Sequence, residues 1–229
     1  MTSESTSLLD GNGAFRRVKR TSNLRANIFL FESVVVLSLY VFLVYSWRPI
    51  TCPAQAHLLA AFGAIYILRL NIMSRWLLSR ELGMEELTFV ILLWIPSIMG
   101  SYAILTKDIS IAGLVVASIF FILGSYLNTY SEYQRKIWKE GDPNHKGRCY
   151  TLGLFSWSRN INYFGDSMLF AGWAIATGDW WNLWAPIVMS LTFFFYHIPD
   201  KEKYLAIRYA EEWPAYQTQT PYTFIPYIC

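Results

Sequence analysis

Residues 109–128 read ISIAGLVVASIFFILGSYLN and contain no charged side chain. The hydrocarbon core of a bilayer is about 30 Å thick, and a helix crosses it with roughly 20 apolar residues. This stretch therefore predicts a membrane-spanning helix. The whole chain supports that interpretation, because 54% of its 229 residues are apolar and only 15% are charged, which is too few charges to cover a soluble domain of this size.

Further apolar runs lie on both sides of this stretch. Together they predict six spans, at residues 28–47, 54–76, 87–106, 109–128, 161–177 and 180–197. In the fifth run, few residues separate Asp166 from Asp179, so either polar residues enter its first turns or the segment dips in without crossing. We expect an all-α polytopic membrane bundle of about six spans with a C-terminal cap on the cytosolic face.

Lys and Arg are distributed unevenly between the two sides of the predicted bundle. All of them except Arg48 and Lys107 fall on one side, and the side rich in Lys and Arg is usually cytosolic. Both termini are therefore predicted to be cytosolic. Residues 1–26 have the composition of a flexible basic tail and lack the apolar core of a cleavable signal peptide. Residues 27–229 are predicted to form a single membrane domain.

Composition also argues against several functions. The net charge of +3 follows from the sidedness of Lys and Arg, and no DNA-reading motif occurs, so we expect no nucleic-acid partner. The three His residues are scattered without Cys or carboxylate at metal-ligand spacing, so we expect no metal site. Cys52 falls on the opposite side from Cys149 and Cys229, which predicts no structural disulfide. The sequence does not define an oligomeric state.

Polar residues with helical spacing mark the start of the fifth span. Asn162 and Asp166 are four residues apart, as are Arg159 and Tyr163, so they form two adjacent ridges. Such a set suits a cofactor with a phosphate tail and a polar ring, since Arg pairs with phosphate and a carboxylate accepts from ribose or carboxamide. Alternatively, Arg159 extends to the membrane interface and Asp166 pairs with it.

A second group of candidates is basic and precedes this span. Its members are dense enough to hold a diphosphate and an extra ribose phosphate, although the positive-inside bias alone explains the same charges. They are Arg135, Lys136, Lys139, Lys146 and Arg148. Other polar residues fall within predicted spans, namely Glu32, His57, Tyr66, Arg69 and Asn71. Glu32 is a functional candidate by its depth in the first span, or it lies at the interface.

Two motifs resemble a known family. GLFSWSR at 153–159 followed by NYFGD at 162–166 resembles the DUF1295 branch of the steroid 5-alpha-reductase superfamily. The C-terminal residues Tyr209, Trp213, Tyr216 and the Pro221-Tyr222 pair resemble membrane sterol C14 and C24 reductases. This resemblance covers residues 65–229. It implies a membrane reductase of the endoplasmic reticulum that takes hydride from NADPH and reduces a carbon–carbon double bond in a lipophilic sterol, steroid enone or terpenoid.

The resemblance also implies roles for individual residues, with residues 131–229 forming the cofactor-binding part. By position, the phosphates would be bound by Arg135, Lys139, Arg148 and Arg159. The walls around the cofactor would be formed by Phe155 and Trp157. The ribose and nicotinamide would be held by Asn162, Tyr163 and Asp166. Glu202, Tyr209 and Tyr216 would close the pocket. A proton donor is also required, and its candidates are Asp200, Glu202, Glu32 and Tyr66.

The chain departs from the family pattern at two places. The family's Arg-His-Pro-Asn-Tyr reads Arg-Asn-Ile-Asn-Tyr at 159–163, and the Arg-Asp-Glu of sterol reductases reads Asp-Lys-Glu at 200–202. The second change puts a lysine where the proton-handling aspartate is expected.

Two other functions are compatible with the resemblance. Isoprenylcysteine carboxyl methyltransferases, which use S-adenosylmethionine, share part of the pattern, but here a carboxylate follows Gly165 and their Asn-Pro pair is missing near residues 180–182. The third possibility is a lipid-binding or isomerising protein of the same fold without redox activity.

Overall fold

The computed structural model describes residues 23–47, 49, 51–77, 83 and 89–228, and every regular element among them is helical. The α-helices are α1 (Asn23–Ser46), α2 (Pro53–Ile72), α3 (Ile95–Ile104), α4 (Ile111–Gly141), α5 (Ile161–Ala176), α6 (Trp184–Thr192), α7 (Ile198–Arg208) and α8 (Trp213–Gln219). π-Helical turns extend α2 at Met73–Leu77, precede α3 at Val90–Trp94 and join α6 to α7 at Phe193–His197. Short 3₁₀ turns lie at Pro143–His145, Gly153–Ser156 and Trp180–Leu183. The prediction of an all-α protein is confirmed.

Three helical segments are long and apolar enough to cross a membrane, Leu24–Ser46, Pro53–Leu77 and Ile111–Gly141. They coincide with the first, second and fourth predicted spans. The third corresponds to a shorter apolar helix, Leu92–Ile104, and its predicted start at residue 87 lies outside the described residues. The fifth corresponds to α5, whose 16 residues extend about 24 Å, less than a bilayer core. The sixth is divided among three helical segments, so the count of six stays a prediction.

The predicted N-terminal tail overlaps the first helix. Because α1 begins at Asn23, residues 23–26 are helical. Residues 1–22, Arg48 and Cys229 lie outside the described part of the chain. Cys52 and Cys149 are both free thiols.

An aromatic core surrounds α5. The Trp173 side chain is fully buried, and its indole N–H donates to the Tyr40 hydroxyl at 3.0 Å. Tyr102, Tyr66 and Tyr40 all meet this indole ring edge to face, with centroids 5.4 to 5.6 Å apart. Edge-to-face pairs add to the stabilisation that burial gives. This core therefore fixes α5 against α1, α2 and α3.

Glycines bring α4 and α5 into backbone contact. A Cβ atom at Gly124 would lie 2.3 Å from the Leu169 nitrogen, and one at Gly165 would lie 2.5 Å from the Asn128 nitrogen. Gly172 makes the same kind of approach one heptad beyond Gly165, with Phe121. Small residues at helix interfaces permit this approach in membrane proteins. The contact places the polar side chains of both helices next to each other.

Candidate functional site

A cleft lies where the end of α4 meets α7 and α8. Cationic and aromatic side chains line it, including Arg135, Lys139, Phe155, Arg159, Tyr209 and Tyr216, together with Lys201. All of these except Lys201 were predicted to bind the cofactor. Arg135 and Lys139 are four residues apart on α4 and so share a helix face. The free space between the side chains is about 40 Å³, room for water, so a dinucleotide enters only if side chains move.

The C-terminal segment is held against this cleft by specific hydrogen bonds. The Tyr216 hydroxyl donates to the Phe155 carbonyl at 2.8 Å, and the backbone N–H of Cys149 donates to Glu212 at 2.6 Å. The Ser158 hydroxyl donates to the Phe224 carbonyl at 2.9 Å. Burial raises the pKa of the Cys149 thiol to about 11, so it stays protonated at neutral pH. These contacts make the turns before α5 and the C-terminal segment one structural unit.

All three guanidinium nitrogens of Arg159 donate hydrogen bonds to other groups of the protein. Its Nε lies 3.1 Å from both carboxylate oxygens of Glu202, and its Nη2 lies 2.9 Å from Oε2. Its Nη1 donates to the Thr220 carbonyl at 2.6 Å. Thus neither interfacial extension nor an ion pair with Asp166 describes this residue. Glu202, one of the predicted proton donors, accepts these hydrogen bonds with both of its carboxylate oxygens.

The other two predicted phosphate-binding arginines are also paired. Arg135 forms an ion pair with the buried carboxylate of Glu132. Arg148 pairs with Glu212 and is 63% exposed, so it lies outside the cleft. Both pairs therefore reduce the positive charge that these arginines present to a ligand.

The two lysines of the cleft differ from the arginines. The Lys139 ammonium donates to the Tyr209 hydroxyl at 3.1 Å. The Lys201 ammonium is buried without a hydrogen-bond partner among the described residues, 4.7 Å from the centroid of the Tyr163 ring. Burial, followed by repulsion from Arg135, lowers the pKa of Lys201 to about 8. It is the least compensated cation of the cleft.

A chain of polar side chains leads from the cleft into the bundle. We call Arg69, Asn128, Glu132, Asn162 and Asp166 the polar chain. The Asn162 amide donates to Glu132 at 3.0 Å, and Asn128 donates to the Asn162 carbonyl at 3.0 Å. Arg69 donates to Asn128 at 2.6 Å and lies 3.6 Å from Asp166. Arg69 Nη1 and Asn162 Oδ1 are buried and lack hydrogen-bond partners among the described residues. Buried polar groups in a membrane protein indicate function.

The remaining predicted residues lie at different distances from the cleft. Trp157 is 44% exposed and does not form a wall of it. Asp200 is 82% exposed and faces solvent beside Lys203. Glu32 is half-buried on α1, and no hydrogen bond or ion pair within the described part of the chain ties it to the cleft. Tyr66 belongs to the aromatic core, within range of the charges on Asp166 and Arg69.

The sequence analysis did not single out Asn128, Glu132 and Lys201. The first two could have been found, because they repeat on α4 the four-residue spacing of Asn162 and Asp166 on α5. Lys201 was noticed only as a departure from a motif, and its burial depends on how α7 packs. The described residues contain no cluster of three or more His, Cys, Asp or Glu side chains that would hold a metal ion.

The fold and the cleft define a helical membrane protein with a basic, aromatic-walled site. The family described as "Protein of unknown function (DUF1295)" matches residues 82–220, which is more than half of the chain and includes the whole cleft. The chain belongs to the DUF1295 family.

Two curated relatives are similar over shorter lengths. A Delta(14)-sterol reductase of Candida albicans is 27% identical over 161 residues, which are 62% of this chain and 35% of that protein. A Delta(14)-sterol reductase of Saccharomyces cerevisiae is 32% identical over 79 residues, 33% of this chain and 18% of that protein. The chain thus matches about a third or less of these relatives. The predicted resemblance is confirmed, and neither relative supports the S-adenosylmethionine alternative.

Proposed function

We propose that this chain is a membrane reductase that uses NADPH to reduce a carbon–carbon double bond in a lipophilic substrate such as a sterol, steroid enone or terpenoid. The observation that carries the proposal is a basic, aromatic-walled cleft that continues into the polar chain through the Glu132–Arg135 pair. Similarity to two Delta(14)-sterol reductases supports the same reaction class.

The donor set of the cleft fits a dinucleotide. Lys139 offers charge to phosphate groups, and Phe155, Tyr209 and Tyr216 offer aromatic surface to the rings of the ligand. When bound, NADPH supplies the hydride. The protein's contribution is to hold the cofactor and to exclude water, and the buried aromatic walls serve both purposes.

The polar chain fits the nicotinamide end of the cofactor. Among the described residues, Arg69 Nη1 is a donor without an acceptor and Asn162 Oδ1 is an acceptor without a donor. A carboxamide carries one acceptor and one donor group, which complements this pair. We assign the ribose and nicotinamide to this region, with Asn162, Tyr163 and Asp166 in the roles that the family resemblance implies.

Of the four predicted proton donors, we assign the role of general acid to Tyr66. Glu202 is bound in the fork of Arg159, and Asp200 faces solvent. Glu32 has no hydrogen bond to the polar chain among the described residues, whereas Tyr66 lies in the bundle within range of Asp166 and Arg69. A phenol hydroxyl there would protonate one carbon, or an enone oxygen, while hydride reaches the other carbon.

The proposal also includes the location and orientation of the protein in a membrane. We place the protein in the endoplasmic reticulum bilayer, with both termini and the cleft on the cytosolic side and the lipophilic substrate entering from the lipid. The distribution of Lys and Arg supports this orientation, and the three long apolar helices support integral membrane association.

Ligand-dependent stabilisation of the purified, detergent-solubilised protein tests this function. A ligand that binds only the folded state raises the stability by about 2.7 kcal/mol at a hundred times its Kd. We expect NADPH to raise the thermal unfolding midpoint and S-adenosylmethionine to leave it unchanged. NADH serves as a control for the extra ribose phosphate. Stabilisation by S-adenosylmethionine alone would reject the reductase and favour a methyltransferase.

A further inference from the structure

The arginines that the sequence analysis assigned to phosphate binding share one property. Each already has a carboxylate partner within the protein. The pairs are Arg135 with Glu132, Arg148 with Glu212 and Arg159 with Glu202. A paired guanidinium presents little net charge to an incoming anion, so these arginines stabilise the arrangement of helices and loops around the cleft.

The excess charge of the cleft therefore resides on its lysines. Lys139 donates to a neutral phenol, Tyr209, and forms no ion pair with any of the described residues. Lys201 has no hydrogen-bond partner there at all. An ammonium group that is taken out of water without an anion is destabilised, because it loses its hydration. The arrangement is thus complementary to a ligand that brings negative charge.

Aromatic rings hold the Lys201 ammonium in this position. It lies 4.7 Å from the Tyr163 ring centroid on α5 and 6.0 Å from that of Phe155. Cation–π contacts orient the side chain without neutralising it. The charged groups that interact electrostatically with Lys201 are Arg135 and Glu132 from α4 and Glu202 from its own helix. Both carboxylates already form ion pairs with arginines.

We propose that Lys201 and Lys139 form an anion-binding pair that receives the phosphate groups of the ligand. The assignment deepens the proposed function, on which it rests for the identity of the ligand as NADPH. The two ammonium groups of the cleft favour a ligand group with more than one negative charge, and a diphosphate or a phosphomonoester is such a group.

Binding of pyrophosphate and of NADPH to the full chain in detergent tests the pair by calorimetry. We expect Lys201→Met and Lys139→Met each to weaken both ligands at least tenfold. Lys203→Met is the matched control, because Lys203 is on the same helix but 78% exposed, and its affinities should equal those of the unmodified protein. The midpoint of thermal unfolding confirms that each variant is folded.

The pH dependence gives a second readout. Because the pKa of Lys201 is lowered to about 8, its ammonium loses its proton when the pH rises above this value. Pyrophosphate affinity should therefore fall between pH 7 and pH 9. Lys201→Arg should retain its affinity at pH 9, since guanidinium stays charged. Equal loss in both proteins would assign the pH effect to another group and overturn the role of Lys201.

The outcomes separate this inference from the proposed function. If NADPH binds Lys201→Met and Lys203→Met equally well, the lysine pair is rejected and the reductase stands. If pyrophosphate binding depends on both lysines but NADPH does not bind, the reductase is rejected and the anion site stands. If the unmodified protein binds neither ligand, both are rejected.

Discussion

Arg159 precedes α5, Glu202 lies on α7, and the two side chains form three hydrogen bonds, with Nη2 2.9 Å from Oε2. The guanidinium also donates to the Thr220 carbonyl. The pair therefore joins the membrane bundle to the C-terminal segment.

Removal of this guanidinium should destabilise the protein. Arg159→Met leaves the carboxylate of Glu202 without its partner, and breaking a buried pair costs about 3 kcal/mol or more. We expect a lower unfolding midpoint in detergent and faster proteolysis after residue 219. The double variant Arg159→Met with Glu202→Met is the control, and it should recover part of the loss. Equal destabilisation by the single and double variants would contradict a specific pair.

Lys201→Met should have the opposite effect on stability in the absence of ligand. The pKa of Lys201 is about 8 in the folded protein against 10.5 for an exposed lysine. Below pH 8 the folded protein bears the full penalty of the buried ammonium, and the penalty disappears as the pH rises from 8 to 10.5.

We therefore expect Lys201→Met to be more stable by about 1–3 kcal/mol at pH 7, with the difference shrinking above pH 8. Unfolding midpoints at pH 7 and pH 9.5 measure this difference. Lys203→Met, exposed on the same helix, should match the unmodified protein at both values. Destabilisation of Lys201→Met at pH 7 would show that the ammonium has a partner that stabilises it.

The polar chain should contribute to cofactor affinity. Asn162→Ala and Asp166→Asn each remove a group assigned to the nicotinamide end, and we expect NADPH affinity to fall by about 1–3 kcal/mol. Calorimetric titration of the detergent-solubilised protein provides the measurement. Asn182→Ala is the control, because Asn182 is a buried amide bonded to Thr177 at the opposite end of α5. Unchanged affinity in both variants would remove these residues from the site.

The contact between α4 and α5 should not tolerate a side chain at its glycines. Gly124→Ala places a methyl group against the backbone of Leu169, and overpacking of this kind costs about 1–3 kcal/mol. Gly100→Ala is the matched control, since a Cβ there meets nothing within 4 Å and alanine favours a helix. Comparison of the two unfolding midpoints tests the prediction, and equal values would argue against close packing.

Tyr66→Phe should separate binding from chemistry. Loss of a general acid reduces a rate by about a hundredfold to ten-thousandfold, whereas NADPH affinity should stay the same. Substrate-dependent NADPH oxidation, with a sterol that carries a Δ14 double bond as the probe, measures the rate. Tyr45→Phe, an exposed tyrosine bonded to His57, controls for loss of a phenol. A full rate in Tyr66→Phe would exclude this tyrosine as the donor.

Local patterns in the sequence predicted much of the fold and part of the site. Apolar runs predicted the long helices because lipid tolerates few other structures. The spacing of Asn162 and Asp166 identified one side of the polar chain. Its other side, Asn128 and Glu132, shows the same four-residue spacing on α4, but only the contact between α4 and α5 brings these side chains within hydrogen-bonding distance of Asn162.

Long-range pairing explains the differences at the cleft. From the sequence, Arg159 was predicted to bind phosphate and Glu202 to donate a proton. In the structure the two side chains pair with each other, and because they are 43 residues apart no local pattern predicts this contact. Asp200 and Lys201 are neighbours in sequence, yet one faces solvent and the other faces the cleft. Which of them turns inward depends on the packing of α7, and no local pattern encodes that rotation.

The helix α4 continues without a break from the bundle to Gly141 and carries both Asn128 of the polar chain and Lys139 of the cleft. At 1.5 Å per residue these two positions are about 16 Å apart along the axis. A continuous helix therefore holds these two residues at a fixed separation. A ligand that contacts both residues must extend over about 16 Å along the helix.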